Sequence, residues 1–174
     1  MSSSLRLGYE RVQDRIALSI SGEGDQKYRI WLTRRLISEL WPALVKALPA
    51  ASRARLQAKG TWANEVLAFE REIALERARL GSSAEGKRTG EDPDSGKRPV
   101  DLLARQIVLT IEPTHTIRIK IVTADRRRLK LGLDLDNLHL FCEVLRKGVE
   151  RAGWALELRL PWDTPASTPP MAHA

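Results

Sequence analysis

The chain has a single cysteine, Cys142, so it cannot form an internal disulfide or a cysteine-rich metal site. None of its apolar runs approaches the roughly 20 residues that a membrane-spanning helix needs. Residues 1–4 lead into a short alternating strand and do not form the apolar core of a signal peptide. These absences predict a soluble cytoplasmic protein with no membrane partner, in which Cys142 is a small buried hydrophobe.

Catalytic motifs are also scarce. The three histidines, His115, His139 and His173, fall in a predicted turn, on a helix and in the tail, and none belongs to a catalytic triad or a metal motif. His139 and Cys142 are three residues apart on one helix, but no second pair of ligands accompanies them. The sequence therefore predicts a non-catalytic protein that holds no cofactor and no metal.

One acidic segment keeps an enzyme open as the third alternative. Asp134, Asp136 and Asn137 follow a predicted strand, and their oxygens are of the type that binds magnesium. Helix capping is the simpler explanation, because short acceptors and anions are favoured at a helix N-terminus. We therefore predict that Asp134 or Asp136 caps the helix that follows.

The clearest structural pattern lies in residues 116–150, where two alternating strands joined by a short turn lead into an amphipathic helix. The predicted core residues are Ile117, Ile119 and Ile121 in the first strand, Leu129, Leu131 and Leu133 in the second, and Leu138, Phe141, Cys142 and Leu145 in the helix. Basic residues occupy the alternate positions of both strands, which predicts one buried face and one solvated face.

A similar pattern occurs near the N-terminus. Tyr28, Ile30 and Leu32 alternate in a strand that follows another strand at 15–21, and Thr33 is placed to cap a helix ending near Leu48-Pro49. The apolar stripe predicted for that helix consists of Ile37, Leu40, Trp41 and Leu44. The two strand-strand-helix units form an internal repeat by duplication or by coincidence, since any such unit has this periodicity.

These patterns predict an α+β fold in which antiparallel strands form one or two sheets and helices cover one face. The predicted divisions are a first unit at 1–50, inserted helices at 51–80, a flexible linker at 81–99, a second unit at 100–160 that ends in a strand from Trp154 to Leu160, and a disordered tail at 161–174. Along the inserted helix, Trp62, Val66, Phe69 and Ile73 form an apolar stripe, which indicates core packing or, alternatively, a partner-binding seam.

A basic face is the main functional signal. The formal net charge is +7 and the pI is about 10.0, although acidic residues are interleaved with the basic ones. The residues predicted to form a nucleic-acid-binding surface are Arg29, Trp31, Arg34, Arg35, Arg118, Lys120, Arg126, Arg128, Lys130 and Arg159. Cations that meet phosphates and an aromatic ring that stacks on a base are typical of single-strand binding. The alternative is an ordinary solvated sheet face.

Two of these residues have their own alternative. Arg34 and Arg35 lie in the first turn of the predicted helix, where cations oppose the helix dipole and can form an anion site with free amides. A salt bridge from Arg35 to Glu39, four residues later, explains one of them without a ligand.

Repeated strand-strand-helix units with a basic sheet face are similar, at the level of topology only, to the whirly and PUR-type single-strand-binding folds. The leading hypothesis is a small non-catalytic binding protein that engages single-stranded nucleic acid through its basic sheet face. The second is a protein-interaction or assembly module, such as a homo-oligomer, that uses the inserted helix and Trp31.

Overall fold

A computed structural model describes residues 6–21, 26–56, 63–85, 98–112 and 116–163. The strands are β1 (Arg6–Glu10), β2 (Arg15–Ser21), β3 (Lys27–Leu32), β4 (Val100–Ile111), β5 (Ile117–Thr123) and β6 (Arg128–Leu133). The helices are α1 (Arg34–Leu56), α2 (Ala63–Glu85) and α3 (Leu135–Arg151), followed by a short 3-10 helix (Pro161–Asp163). This composition confirms the α+β class.

The six strands form one sheet in chain order, and every neighbouring pair is antiparallel except β3 and β4, which run parallel. The first part of β4 pairs with β3, and the remainder pairs with β5. Between these parts Ala104 pairs with Thr123 and Gln106 with Val122, so Arg105 is an extra residue in the ladder. Because of this extra residue, β4 keeps apolar side chains on the core face of the sheet both before and after the bulge.

One buried cluster contains apolar residues from the strands and from all three helices. The predicted inward residues Ile30, Leu32, Ile117, Ile119, Ile121, Leu131 and Leu133 are all buried, as are the predicted stripes of α1 and α3. Both predicted caps are confirmed, because Thr33 Oγ1 accepts from the Leu36 amide at 3.3 Å and Asp134 Oδ1 from the Asn137 amide at 2.8 Å. Burial raises the pKa of the Cys142 thiol to about 12, so this cysteine is a core residue with little thiolate.

The predicted end of α1 near Leu48-Pro49 is wrong, because the helix continues through both Pro42 and Pro49 to Leu56. A proline inside a helix removes a backbone hydrogen bond and costs about 3 kcal/mol. The apolar stripe of α1 nevertheless continues, with Leu48 and Ala51 fully buried beyond the first turns. Burial of this stripe offsets the strain that the prolines introduce.

The segment from Trp154 to Leu160 is extended but pairs with no described strand, so the predicted final strand is wrong. Its alternate residues nevertheless contribute to the core, since Trp154, Leu158 and Leu160 are buried and Leu156 is partly buried. The backbone is satisfied differently, by hydrogen bonds of the γ-turn type from Leu156 N to Trp154 O and from Leu158 N to Leu156 O. A side chain of α1 completes the anchoring, because Trp41 Nε1 donates to Arg159 O at 3.0 Å.

Asp14 fastens this segment to the turn between β1 and β2. Its carboxylate accepts hydrogen bonds from Trp154 Nε1 at 2.6 Å and from the Tyr9 hydroxyl at 2.8 Å. The indole and phenol rings meet edge to face, with centroids 6.4 Å apart. Both hydrogen bonds lower the pKa of Asp14, and the one from Trp154 has the larger effect.

Replacing this carboxylate should release the extended segment. Because the pKa of Asp14 is lower in the folded than in the unfolded state, its contribution is complete above the unfolded value of about 3.9 and is lost as the pH falls through the folded value. We expect an acid-induced change in tryptophan emission that Asp14→Ala lacks, together with faster amide exchange at 154–160 in that variant at neutral pH. The same acid transition in both proteins would contradict this role.

Helix α2 buries a different face from the predicted one. Leu67, Glu70 and Ala74 are buried, whereas Phe69 of the apolar stripe is 64% exposed, and Val66 and Ile73 are only partly buried. Trp62 lies outside the described residues. The predicted core stripe of α2 is therefore largely on the surface.

The physical reason is that α2 packs on a polar side of α3. Arg71 donates to Glu143 Oε2 at 3.1 Å, and Glu70 Oε2 lies 3.9 Å from His139 Nε2. Arg77 also pairs with Asp136. Buried charges are stable when they are paired, so these partners determine which side of α2 faces α3.

The segment boundaries also differ from those predicted. Helix α2 extends to Glu85, five residues into the predicted linker, while residues 86–97 lie outside the described residues. The first residues of the predicted tail are ordered, because Trp162 packs against His139 and Asp163 pairs with Arg146 at 3.2 Å. Residues 164–174 lie outside the described residues. No helix of the described chain is long and apolar enough to cross a membrane.

Candidate nucleic-acid interface

The side chains that alternate with the core residues of β4, β5 and β6 share a second face of the sheet, which we call the outer face. Its members are Gln106, Val108 and Thr110 on β4, Arg118, Lys120 and Val122 on β5, and Arg128, Lys130 and Gly132 on β6. All nine are exposed or partly exposed, and none is buried. The outer face is therefore accessible along all three strands.

Two lysines lie at the centre of the outer face. The register places Lys120 directly opposite Lys130 on the neighbouring strand, and Val108 opposite Lys120 on its other side. Like charges in this position destabilise a sheet, typically by a few tenths of a kcal/mol up to about 1 kcal/mol. Neither lysine forms an ion pair with any residue that the structure describes. The pair therefore concentrates positive charge without a counterion among the described residues.

Two arginines flank the lysine pair. Arg118 is balanced, because it forms an ion pair with Glu112 at 2.9 Å. Arg128 lies opposite Val122 and is exposed, and the described part of the chain supplies no acidic partner for it. The net positive charge of the outer face therefore comes mainly from Lys120, Arg128 and Lys130.

The hairpin between β5 and β6 places another cation at the end of this face. Arg126 adopts a left-handed backbone with φ of 67°, a conformation that favours glycine. The neighbouring Asp125 is occupied, since it accepts from the Thr123 hydroxyl and pairs with Arg127 at 2.8 Å. The hydrogen bond from Thr123 is the main reason that the pKa of Asp125 is lowered. Arg126 thus carries a charge to the hairpin tip at a conformational cost.

Trp31 and Arg29 lie on the same side of the sheet but away from the lysines. Trp31 pairs with Ala17 on β2 and Leu103 on β4, and it is partly exposed. Arg29 lies over the indole ring at 5.8 Å from its centroid and forms an ion pair with Asp101 at 3.5 Å. The strand spacing and the rise per residue put Trp31 roughly 15 Å from Lys120. The aromatic ring is thus at the margin of the basic surface.

Three predicted site residues lie elsewhere. Arg159 is on the extended segment after α3, not on a sheet strand, and pairs with Glu157 at 3.1 Å. Arg35 pairs with Glu39 at 3.0 Å, which is the salt bridge that the sequence offered as the simpler explanation. Arg34 donates to Ala155 O at 3.4 Å. The structure does not bring these three arginines onto the outer face.

The sequence did not predict three further residues at this surface. Val108 is a member of the outer face, and Glu112 and Asp101 pair with cations on the same side of the sheet. Val108 is 41% exposed and lies beside Lys120, while Glu112 and Asp101 neutralise two of the predicted cations. The alternation with Ile107 and Leu109 is a signal that could have placed Val108 on the exposed side. The two ion pairs have no such signal, because they depend on the register between neighbouring strands.

The described residues include no group of three or more histidine, cysteine, aspartate or glutamate side chains close enough to hold a metal ion. Asp134 is used as the cap of α3, and Asp136 pairs with Arg77. His139 and Cys142 are both buried. The other two histidines, at positions 115 and 173, lie outside the described residues.

The chain matches no protein-family model, no curated protein and no solved structure.

Proposed function

We propose that this is a small, non-catalytic cytoplasmic protein that binds single-stranded nucleic acid through the outer face of its sheet. The observation that carries the proposal is the opposed pair Lys120 and Lys130, with Arg128 beside it on the same strand. Like charges placed side by side lower the stability of the folded protein. Binding of an anionic ligand is the simplest explanation for keeping them, because it neutralises their repulsion.

An open sheet face suits a flexible strand better than a duplex. Rows of cations spaced about 6.8 Å apart along a strand can follow a backbone that adapts to them, and this binding carries no sequence information. Trp31 offers a stacking surface at the margin of the face, and Arg126 extends the positive charge at the hairpin tip. Binding should therefore be sequence-tolerant and strongly dependent on salt.

The test is a titration of the purified protein with single-stranded DNA and RNA oligonucleotides at low and moderate salt, followed by tryptophan fluorescence or anisotropy. We expect saturable binding whose logarithmic affinity falls linearly with the logarithm of the salt concentration, with a slope of about −0.7 per phosphate neutralised. A duplex of the same sequence is the control and should bind more weakly. If neither DNA nor RNA binds at low salt, the proposal is wrong.

A second candidate function is that of a protein-interaction or assembly module. The specific observation in its favour is the surface of α2, where Phe69 is 64% exposed and Val66 and Ile73 are partly exposed. A large apolar side chain in this position is typical of an interaction surface. Light scattering on the oligonucleotide-free sample separates this candidate from the first, because only an assembly module changes mass with protein concentration.

We also propose that the two halves of the sheet are copies of one unit, with the helices covering the same face. In support, β2-β3-α1 and β5-β6-α3 are both antiparallel hairpins followed by a capped helix. The caps Thr33 and Asp134 occupy equivalent positions, and all three helices contribute to one buried cluster.

A further inference from the structure

The exposed side of α2 combines apolar and acidic residues. Phe69 and Ile73 form the apolar part, and Glu65, Glu72 and Glu76 are exposed beside it at helical spacing. Glu76 has a nearby exposed partner in Arg79 at 3.5 Å, a surface ion pair that contributes little by itself. We call the five residues Glu65, Phe69, Glu72, Ile73 and Glu76 the acidic helix face. Its chemistry calls for a partner surface that combines basic residues with an exposed apolar residue.

The outer face of the sheet has that chemistry. Val108 is 41% exposed and lies in one row with Lys120 and Lys130, and Arg128 lies in the adjacent row. An exposed apolar residue therefore lies beside the lysine pair on the sheet, and the exposed Phe69 and partly exposed Ile73 lie beside carboxylates on α2. The two surfaces are complementary in both charge and hydrophobicity.

The dimensions of the two surfaces also agree. The acidic helix face, residues 65–76 of α2, spans about 17 Å at the helical rise, and a helix is about 10 Å wide. The outer face covers three strands about 4.8 Å apart and about seven residues long, or roughly 14 by 23 Å. A helix laid along this face buries less area than a stable interface needs, which predicts a weak, concentration-dependent contact.

We propose that the acidic helix face of one copy docks on the outer face of a second copy. The inference rests on the second candidate function and deepens it by naming the partner. Because the two surfaces differ, the contact is heterologous and generates a ring or an open chain of copies instead of an isologous dimer. It also uses Lys120 and Lys130, so self-association and nucleic-acid binding compete for one surface.

Charge exchange tests the docking. One variant, Glu72→Lys/Glu76→Lys, makes the helix face basic, and another, Lys120→Glu/Lys130→Glu, makes the sheet face acidic. Each variant alone then opposes like charges and should remain monomeric. An equimolar mixture restores opposite charges at both contacts and should regain the mass of the wild type. Phe69→Ser should lose association in any mixture, and Glu150→Lys/Glu157→Lys is the charge-matched control that should associate like the wild type.

The readout is the mass-average molar mass by light scattering at low salt, between about 10 and about 300 µM protein, with thermal melts to verify folding. We expect the wild-type mass to rise with concentration and to return to that of the monomer at high salt. A wild type that stays monomeric, or a mixture that fails to regain mass, overturns the inference. The result is independent of nucleic acid, since Glu72→Lys/Glu76→Lys keeps the outer face intact and should bind an oligonucleotide at least as tightly as the wild type.

Discussion

The double substitution Arg128→Glu/Lys130→Glu is expected to weaken binding of single-stranded nucleic acid by about 100-fold or more at moderate salt. It removes two of the three outer-face cations that have no acidic partner among the described residues, and it introduces two carboxylates where the phosphates would bind. The salt dependence should fall as well, by about 0.7 in the logarithmic slope for each lost phosphate contact.

The same substitution should not weaken the fold. The carboxylate introduced at position 130 would lie opposite Lys120, so an opposed like-charge pair becomes an attractive pair worth up to about 1 kcal/mol. We therefore expect the free energy of unfolding to stay the same or rise while affinity falls. Chemical denaturation of both proteins measures the first quantity, and the oligonucleotide titration measures the second.

The matched control is Lys46→Glu/Arg53→Glu, which changes the net charge equally at two exposed positions of α1. If affinity depends on net charge alone, both variants lose it to the same extent, and the outer face has no special role. A loss confined to Arg128→Glu/Lys130→Glu supports the outer face as the binding surface.

Phe141→Ala is expected to lower the free energy of unfolding by about 3–5 kcal/mol, whereas Phe69→Ala should change it by less than about 0.5 kcal/mol. Phe141 is only 2% exposed, so its removal leaves a cavity between α3 and the sheet. Phe69 is 64% exposed and has little packing to lose. In a chain of this size the first substitution lowers the melting temperature by about 10 °C.

Thermal and chemical denaturation of the two variants therefore test which side of α2 is buried. The sequence alone places Phe141 in the core and leaves Phe69 either in the core or on a partner-binding seam. Equal destabilisation would mean that α2 is rotated to bury Phe69, and the acidic helix face would then not exist. Leu67→Ala serves as a positive control on α2, because Leu67 is 1% exposed.

The strands of the sheet and the two capped helices, α1 and α3, could be predicted from local sequence signals. Alternation in β5 and β6 is enforced by the pleat, and the caps Thr33 and Asp134 each act within three residues, so short-range patterns were sufficient. For α2 the core-packing interpretation failed, because hydrophobicity favours the side with Phe69, which is exposed, while the alternative of a partner-binding seam stays a prediction. The buried side is decided by Glu143 and His139, far away in the sequence on α3.

The candidate site, like the fold, was predictable only in part from local patterns. Period-two spacing alone places Lys120, Arg128 and Lys130 on one face, but only the strand register shows that the two lysines are directly opposed. The assignment of Arg159 required that residues 154–160 join the sheet. An alternating segment can equally pack against helices and anchor its backbone through Trp41 and Arg34, as it does here.

The central claim is that nucleic acid binds on the outer face of β4, β5 and β6. The most direct measurement is an amide chemical-shift titration of the isotope-labelled protein with a short single-stranded oligonucleotide at low salt. We expect the largest shifts at residues 118–132, with smaller ones at Trp31 and Val108. Shifts confined to the helices, or no shifts at a saturating oligonucleotide concentration, would contradict it.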